Sequence, residues 1–227
     1  MIPIINRVFA MRSYQKSSII VFLCYVFFSL LSQPSFAEPK INGIAVHQEL
    51  GQSVFIGALF SELLSDDAGA LLRNQSPMRM ELKIVAPEGI SARRFGRLWI
   101  EGLAVNNSSD TLLAQAENTV MFDALFNGFL LQGDHLVIAS IPGKGVDVWL
   151  NQSLLGNISS NQFFSMLLST WIGNVPLSSD FRAQLLKVGD IDSALRAQFD
   201  DIAPSVNRIA EIREANQSSS EVSSIAA

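Results

Sequence analysis

Val54-Phe55-Ile56-Gly57-Ala58-Leu59-Phe60 is apolar at its even and its odd positions alike. Successive side chains of a strand point to opposite faces, so this stretch demands a sheet covered on both sides. Working outward, Ile41 to Phe60 reads as two strands. Ser65 to Asn74 predicts a short helix capped by Ser65, with Asp66 and Asp67 in its first turn. Met78, Met80, Leu82, Ile84 and Ala86 then alternate with Arg79, Glu81 and Lys83, which predicts a strand with one wet face.

Two helices follow. Ser91 starts the first, with Phe95, Leu98, Trp99, Gly102 and Leu103 on one stripe and Arg93, Arg94, Arg97 and Glu101 largely elsewhere. In the second, Leu113, Ala116, Val120 and Ala124 step at helical spacing, as do Met121, Leu125 and Phe129. Gly133-Asp134 turns into a strand at Leu136–Ile141. Pro142-Gly143-Lys144-Gly145 makes a hairpin into Val146–Leu150, and Asn151 to Ser153 makes a further turn. Asn161–Ile172 is a very apolar helix ended by Gly173, and Ser178 or Ser179 caps the next, through Leu186. From Ile191 on, Leu195, Phe199, Ile202, Val206 and Ile209 form a stripe that Pro204 should break. Residues 214–227 are Ser-rich and predict a disordered tail. The class is α+β.

The amino terminus has different anatomy. Arg7, Arg12 and Lys16 precede the apolar run Ile19–Leu31, and Ser35-Phe36-Ala37 places small residues at −3 and −1 of a cut before Glu38. That pattern predicts a secretory signal peptide over 1–37, since thirteen apolar residues fall short of the roughly 20 that span a bilayer. Phe22-Leu23 before Cys24 does not fit a lipoprotein signal. The 227-residue chain carries a net charge of −5, with 48% hydrophobic and 16% charged residues. Without the leader, 190 residues remain at a net charge of −8, and Cys24, Tyr14 and Tyr25 are gone. The acidic balance argues against nucleic acid. The mature chain has no thiol or phenol for catalysis, and no second run long enough to span a membrane. The expected location is the periplasm, with full secretion as the alternative.

Motifs exclude more than they offer. His47 and His135 lack metal-spaced partners, so no metal or other cofactor is expected. There is no G-x-S-x-G elbow, and Pro142-Gly143-Lys144-Gly145 is a turn, not a phosphate loop. Arg93, Arg94 and Arg97 read as a solvated helix face partly paired with Glu88 or Glu101, with anion binding as the alternative. Trp99, Trp149 and Trp171 read first as core, and otherwise as the lining of an apolar cavity.

A resemblance now enters. Ile44-Ala45-Val46-His47 with Val54 to Phe60, then Met80-Glu81-Leu82, the Trp99 helix, Gly133-Asp134, Pro142-Gly143 to Leu150-Asn151 and Leu155-Gly156 resemble bacterial chalcone isomerase-like proteins. Trp171-Ile172-Gly173-Asn174-Val175-Pro176-Leu177-Ser178, followed by Leu185-Leu186, is the most specific piece. The resemblance covers Ile41 to Leu186. It implies an open-faced β-sandwich, an antiparallel sheet with helices packed on one face and a ligand cleft between. The domain would span 38–189, followed by a helical extension over 190–213.

The plant enzymes of this superfamily use an arginine near the end of the first strand, a threonine on the next and a tyrosine. Here the arginine position falls on His47 and the threonine position on or near Val54, and the mature chain has no tyrosine. A neutral imidazole does not replace a guanidinium, so chalcone isomerase activity is not expected. Family members without the catalytic set include fatty-acid-binding proteins, which implies an apolar ligand. The expected site is His47, Val54, Phe55, Arg94 and Trp99, with His47 or Arg94 near the ligand's polar end. The alternative is an interaction protein with a filled cleft, whose stripe from Leu195 to Ile209 docks on the body or on a partner that the sequence does not name. A third reading builds an enzyme on His47.

Overall fold

The computed structural model describes residues 39–225, with side chains through Ser218. The expected signal peptide lies outside the described residues. Six strands form one antiparallel sheet in the order β1 (Lys40–Glu49), β2 (Gln52–Ser61), β3 (Met78–Ile84), β6 (His135–Ile141), β7 (Gly145–Leu150) and β8 (Ser153–Ile158). A second, two-stranded sheet pairs β4 (Ile90–Ser91) with β5 (Phe129–Leu130). The turns joining β1 to β2 (Leu50, Gly51) and β7 to β8 (Asn151, Gln152) each hold two residues at positive φ. That is what tight two-residue hairpins require of a right-twisted ribbon.

One face of the sheet carries Ala45, Phe55, Leu59, Met80, Leu82, Leu136, Ile138, Val146 and Val148, all buried. Onto it pack α2 (Ala92–Asn106), capped by Ser91, and α5 (Asn161–Ile172), capped by Ser160 and ended at Gly173. The short α6 (Ser179–Leu185) is capped by Ser178, whose hydroxyl accepts from the Phe181 amide at 3.1 Å. The Ser91 cap and the Gly173 stop fall where the sequence puts them, Ser178 rather than Ser179 caps α6, and the Ser160 cap is one the sequence reading did not assign. The first helix, α1 (Ala68–Leu72), differs, because Asp67 rather than Ser65 accepts its capping hydrogen bond from Gly69 N.

The opposite face is not left open. Ile44, Ile56, Ala58 and Phe60 form a second cluster with Phe199 of α7 (Ser193–Asp201), flanked by Ile191, Leu195 and Ile202. The extension is therefore the second cover that Val54–Phe60 demands. It also overturns the expected wet face of β3. Lys83 is buried and donates to the carbonyls of Phe199 (2.6 Å) and Ile202 (2.8 Å), capping α7. Burial pushes the Lys83 ammonium below its ordinary pKa, against the pull of neighbouring Glu81. Glu81 is likewise buried, and bonds Arg79 (2.5 Å) and His135 (2.9 Å).

Two further expectations are corrected. In α3 (Ser109–Ala114) and α4 (Ala116–Ala124) the predicted stripe faces water: Leu113 is 80%, Val120 70% and Met121 50% exposed, whereas Phe122 is buried. The aromatic ring, with more apolar area to bury, sets the rotation. Residues 214–225, expected to be disordered, continue as helix: α8 spans Val206–Ile225, and Asn216 Nδ2 donates to the Leu154 carbonyl at 2.7 Å. Pro204 separates α7 from α8, as its missing amide dictates.

Candidate functional site

The expected site residues gather on the helix-covered face. His47 and Phe55 are register partners on β1 and β2, with ring centroids 4.8 Å apart. Phe55 stacks on Trp171 of α5 at 6.4 Å, and Trp171 on Trp99 of α2 at 6.2 Å. Phe181 of α6 closes the stack edge-on against Trp171 at 5.4 Å. Gly57 makes this approach feasible, since a Cβ there would lie 2.7 Å from Phe181 Cζ and 3.1 Å from Trp171 Cη2. Val54 is buried in the same core and acts through its backbone, its carbonyl accepting from the amides of Val85 and Ala86 at 3.0 and 3.1 Å.

At the rim, Arg94 reaches His47 through Glu49. Arg94 pairs with one carboxylate oxygen of Glu49, and His47 Nε2 lies 3.3 Å from the other. This chain of charge spans 45 residues of sequence. Arg94 thus pairs with neither Glu88 nor Glu101. An ionised carboxylate only accepts, so the neutral imidazole carries its proton on Nε2 and keeps an acceptor lone pair on Nδ1. That Nδ1 is buried and has no hydrogen-bond partner among the described residues, as is also true of the Trp99 Nε1 donor. Burial lowers the His47 pKa, outweighing the opposite pull of Glu49. Burial would raise Glu49, but the hydrogen bonds from Arg94 and His47 hold it below the ordinary carboxylate value.

The site therefore offers an uncharged imidazole, a paired guanidinium and a wall of aromatic rings. Among the described residues no group of three His, Cys, Asp or Glu side chains could hold a metal. The cleft itself is nearly closed: the void among Phe55, Phe95, Trp99, Thr170 and Trp171 is about 10 Å³, scarcely one water's worth. Sequence reasoning overlooked Glu49, although its position two residues from His47 on one strand face signals the pair. It also left Phe181 unassigned, because only the tertiary fold folds α6 back over β1. Trp149 stands apart from this cleft: it alternates with the inward-facing Val148 and Leu150 and is half-buried.

A strand-paired sheet with helices over an aromatic cleft defines a chalcone isomerase-like architecture. The family model described as chalcone isomerase-like matches residues 36–187, and the chain belongs to that family. The match stops just before α7, so the outer cover lies beyond it. Among solved structures, a fatty-acid binding protein of Arabidopsis thaliana superposes with a TM-score of 0.52 at 16% identity, covering 65% of this chain and 86% of that one. No curated protein matches the sequence.

Proposed function

We propose that this chain is an exported, non-enzymatic binder of a fatty acid or similar amphiphile, held between the sheet and α2, α5 and α6. The observation that carries it is a polar anchor at the end of an aromatic wall: His47 with a buried, unpartnered Nδ1, beside Arg94 and Glu49. A ligand hydroxyl or protonated carboxyl can donate to Nδ1, and a carboxylate can share Arg94 with Glu49. Membership of the family and the likeness to a structure described as a fatty-acid binding protein support the ligand class. His47 and Val54 in place of a guanidinium and a hydroxyl, with no tyrosine after residue 25, speak against ring-closing catalysis. The leader pattern supports export to the periplasm.

The closed cleft favours a second reading, a structural member of the family whose cleft stays filled by its own side chains. Of the two options for the Leu195–Ile209 stripe, docking on the body is the one that Phe199 supports, since it is 2% exposed and packs on this chain's own sheet. Native mass spectrometry of the purified protein, then calorimetry with decanoate, separates the two. Binding that weakens in His47→Ala without loss of fold is expected. Absence of binding by the unaltered protein leaves the structural reading.

A further inference from the structure

Helix α8 crosses the body like a bridge pinned at both ends. At one end Arg208 is held by Asp134, with its Nε and Nη2 at 3.0 and 2.8 Å from the carboxylate oxygens, and it donates to the Phe129 carbonyl at 2.8 Å. At the other, Asn216 donates to the Leu154 carbonyl at 2.7 Å. Residues 208, 212 and 216 step by four and share one helix face, so Ile212 points inward between the two pins and packs on the core. Beneath the bridge lies a groove of about 330 Å³, walled by Leu125, Phe126, Leu130, Leu150, Leu155 and Ile212. That volume sits at the lower end of the roughly 300–1,000 Å³ of small-molecule sites. It is open as it stands, whereas the aromatic cleft holds about 10 Å³.

The chemistry of the lining selects the occupant. None of its eleven residues is ionisable. Arg208, which reaches the Phe129 carbonyl at this wall, is spent on Asp134 and Glu211. The lining's polar side chains are Asn127 and Asn216, the latter with Nδ2 held by the Leu154 carbonyl, and with the exposed backbone they suit an ester and give a carboxylate no counter-charge. One wall, α8, lies outside the family match, so this site is particular to the extension.

We propose that the groove under α8 is a second, amphipathic site, taking a single acyl chain with an uncharged polar head, separate from the His47 cleft. It borrows only the lipid ligand class from the reading above. The test is calorimetric titration of the full chain with methyl decanoate and with decanoate, in the unaltered protein and in Ala124→Trp, Ala215→Trp and His47→Ala. Ala124 of α4 and Ala215 of α8 both line the groove and are exposed, so an indole at either narrows it without replacing a core side chain. Methyl decanoate, which has no proton to donate to His47 Nδ1, is expected to bind, to weaken by about tenfold or more in both tryptophan variants, and to be unchanged in His47→Ala. Methyl decanoate binding that ignores both tryptophans, or no binding of the ester beside decanoate binding that His47→Ala weakens, overturns the groove and leaves the lipid reading standing. If neither compound binds the unaltered protein, both fall together.

Discussion

Replacing Arg208 by alanine removes the guanidinium that holds Asp134, and the cost follows from where the two groups sit. The Asp134 side chain is fully buried and that of Arg208 is 12% exposed. Asp134 also accepts from Asn151 Nδ2 (2.6 Å) and the Leu131 amide (2.8 Å), so truncating Arg208 leaves a buried carboxylate partly satisfied but without its counter-charge. Breaking a buried pair from one side costs about 3–5 kcal/mol. The two surviving bonds, and water entering where the arginine stood, place this case near 3 kcal/mol. For a chain of this size that is a fall in Tm of about 6–12 °C. The exposed pair Arg196–Asp200, at 38% and 51% exposure, is the internal control, and Arg196→Ala is expected to cost under about 0.5 kcal/mol. Urea unfolding of both variants decides the matter. The double variant Arg208→Ala with Asp134→Asn should be less destabilised than Arg208→Ala alone, because it no longer buries an unpaired charge. A loss below about 1 kcal/mol in Arg208→Ala, or an equal loss in Arg196→Ala, refutes the argument that α8 is pinned by a buried charge pair.

Gly57→Val should cost about 1–3 kcal/mol, because the new side chain collides with Phe181 and Trp171; a shift in tryptophan fluorescence without unfolding would show the stack opening, and an unchanged spectrum would count against the close approach. The pH dependence of stability should carry a His47 contribution. Its pKa is lowered in the folded state, so the unfolded chain binds the proton first, and stability present above the ordinary value of 6.5 is lost as pH falls through it, by no more than about 1.4 kcal/mol per pH unit. Glu81, also held below its ordinary 4.5, adds a second loss only at more acid pH. Denaturant titrations between pH 7 and 5.5 should slope in the unaltered protein and flatten in His47→Asn; equal slopes remove His47 from that limb.

Much of the fold was legible because its signals are local. Ser91 and Ser178 cap helices by bonds to amides three residues on, and Gly173 ends α5. Alternation placed β2 and β3, and turn residues placed β6 and β7, while β8 escaped notice because Leu154-Leu155-Gly156 carries a bulge and no clean period. Of the expected site, His47 and Phe55 were brought together by strand register, and Trp99 by the aromatic stack. The route from Arg94 through Glu49 was not legible, since it joins a helix to a hairpin across 45 residues.

The apolar content of Val54–Phe60 determined by itself that the sheet must be covered twice, because water on either face would expose a row of large side chains. Which segment supplies the second cover was a tertiary decision: α7 lies some 140 residues away, and it turns Lys83 from an expected surface cation into a buried cap. Sequence likewise determined that aromatic residues would line the space between sheet and helices. Whether that space is a cavity or a packed wall depends on how the rings of Phe55, Trp99, Trp171 and Phe181 interlock, and on how far two polar pins hold α8 off the body. Volume is what remains after every neighbour has been placed, so no local pattern encodes it.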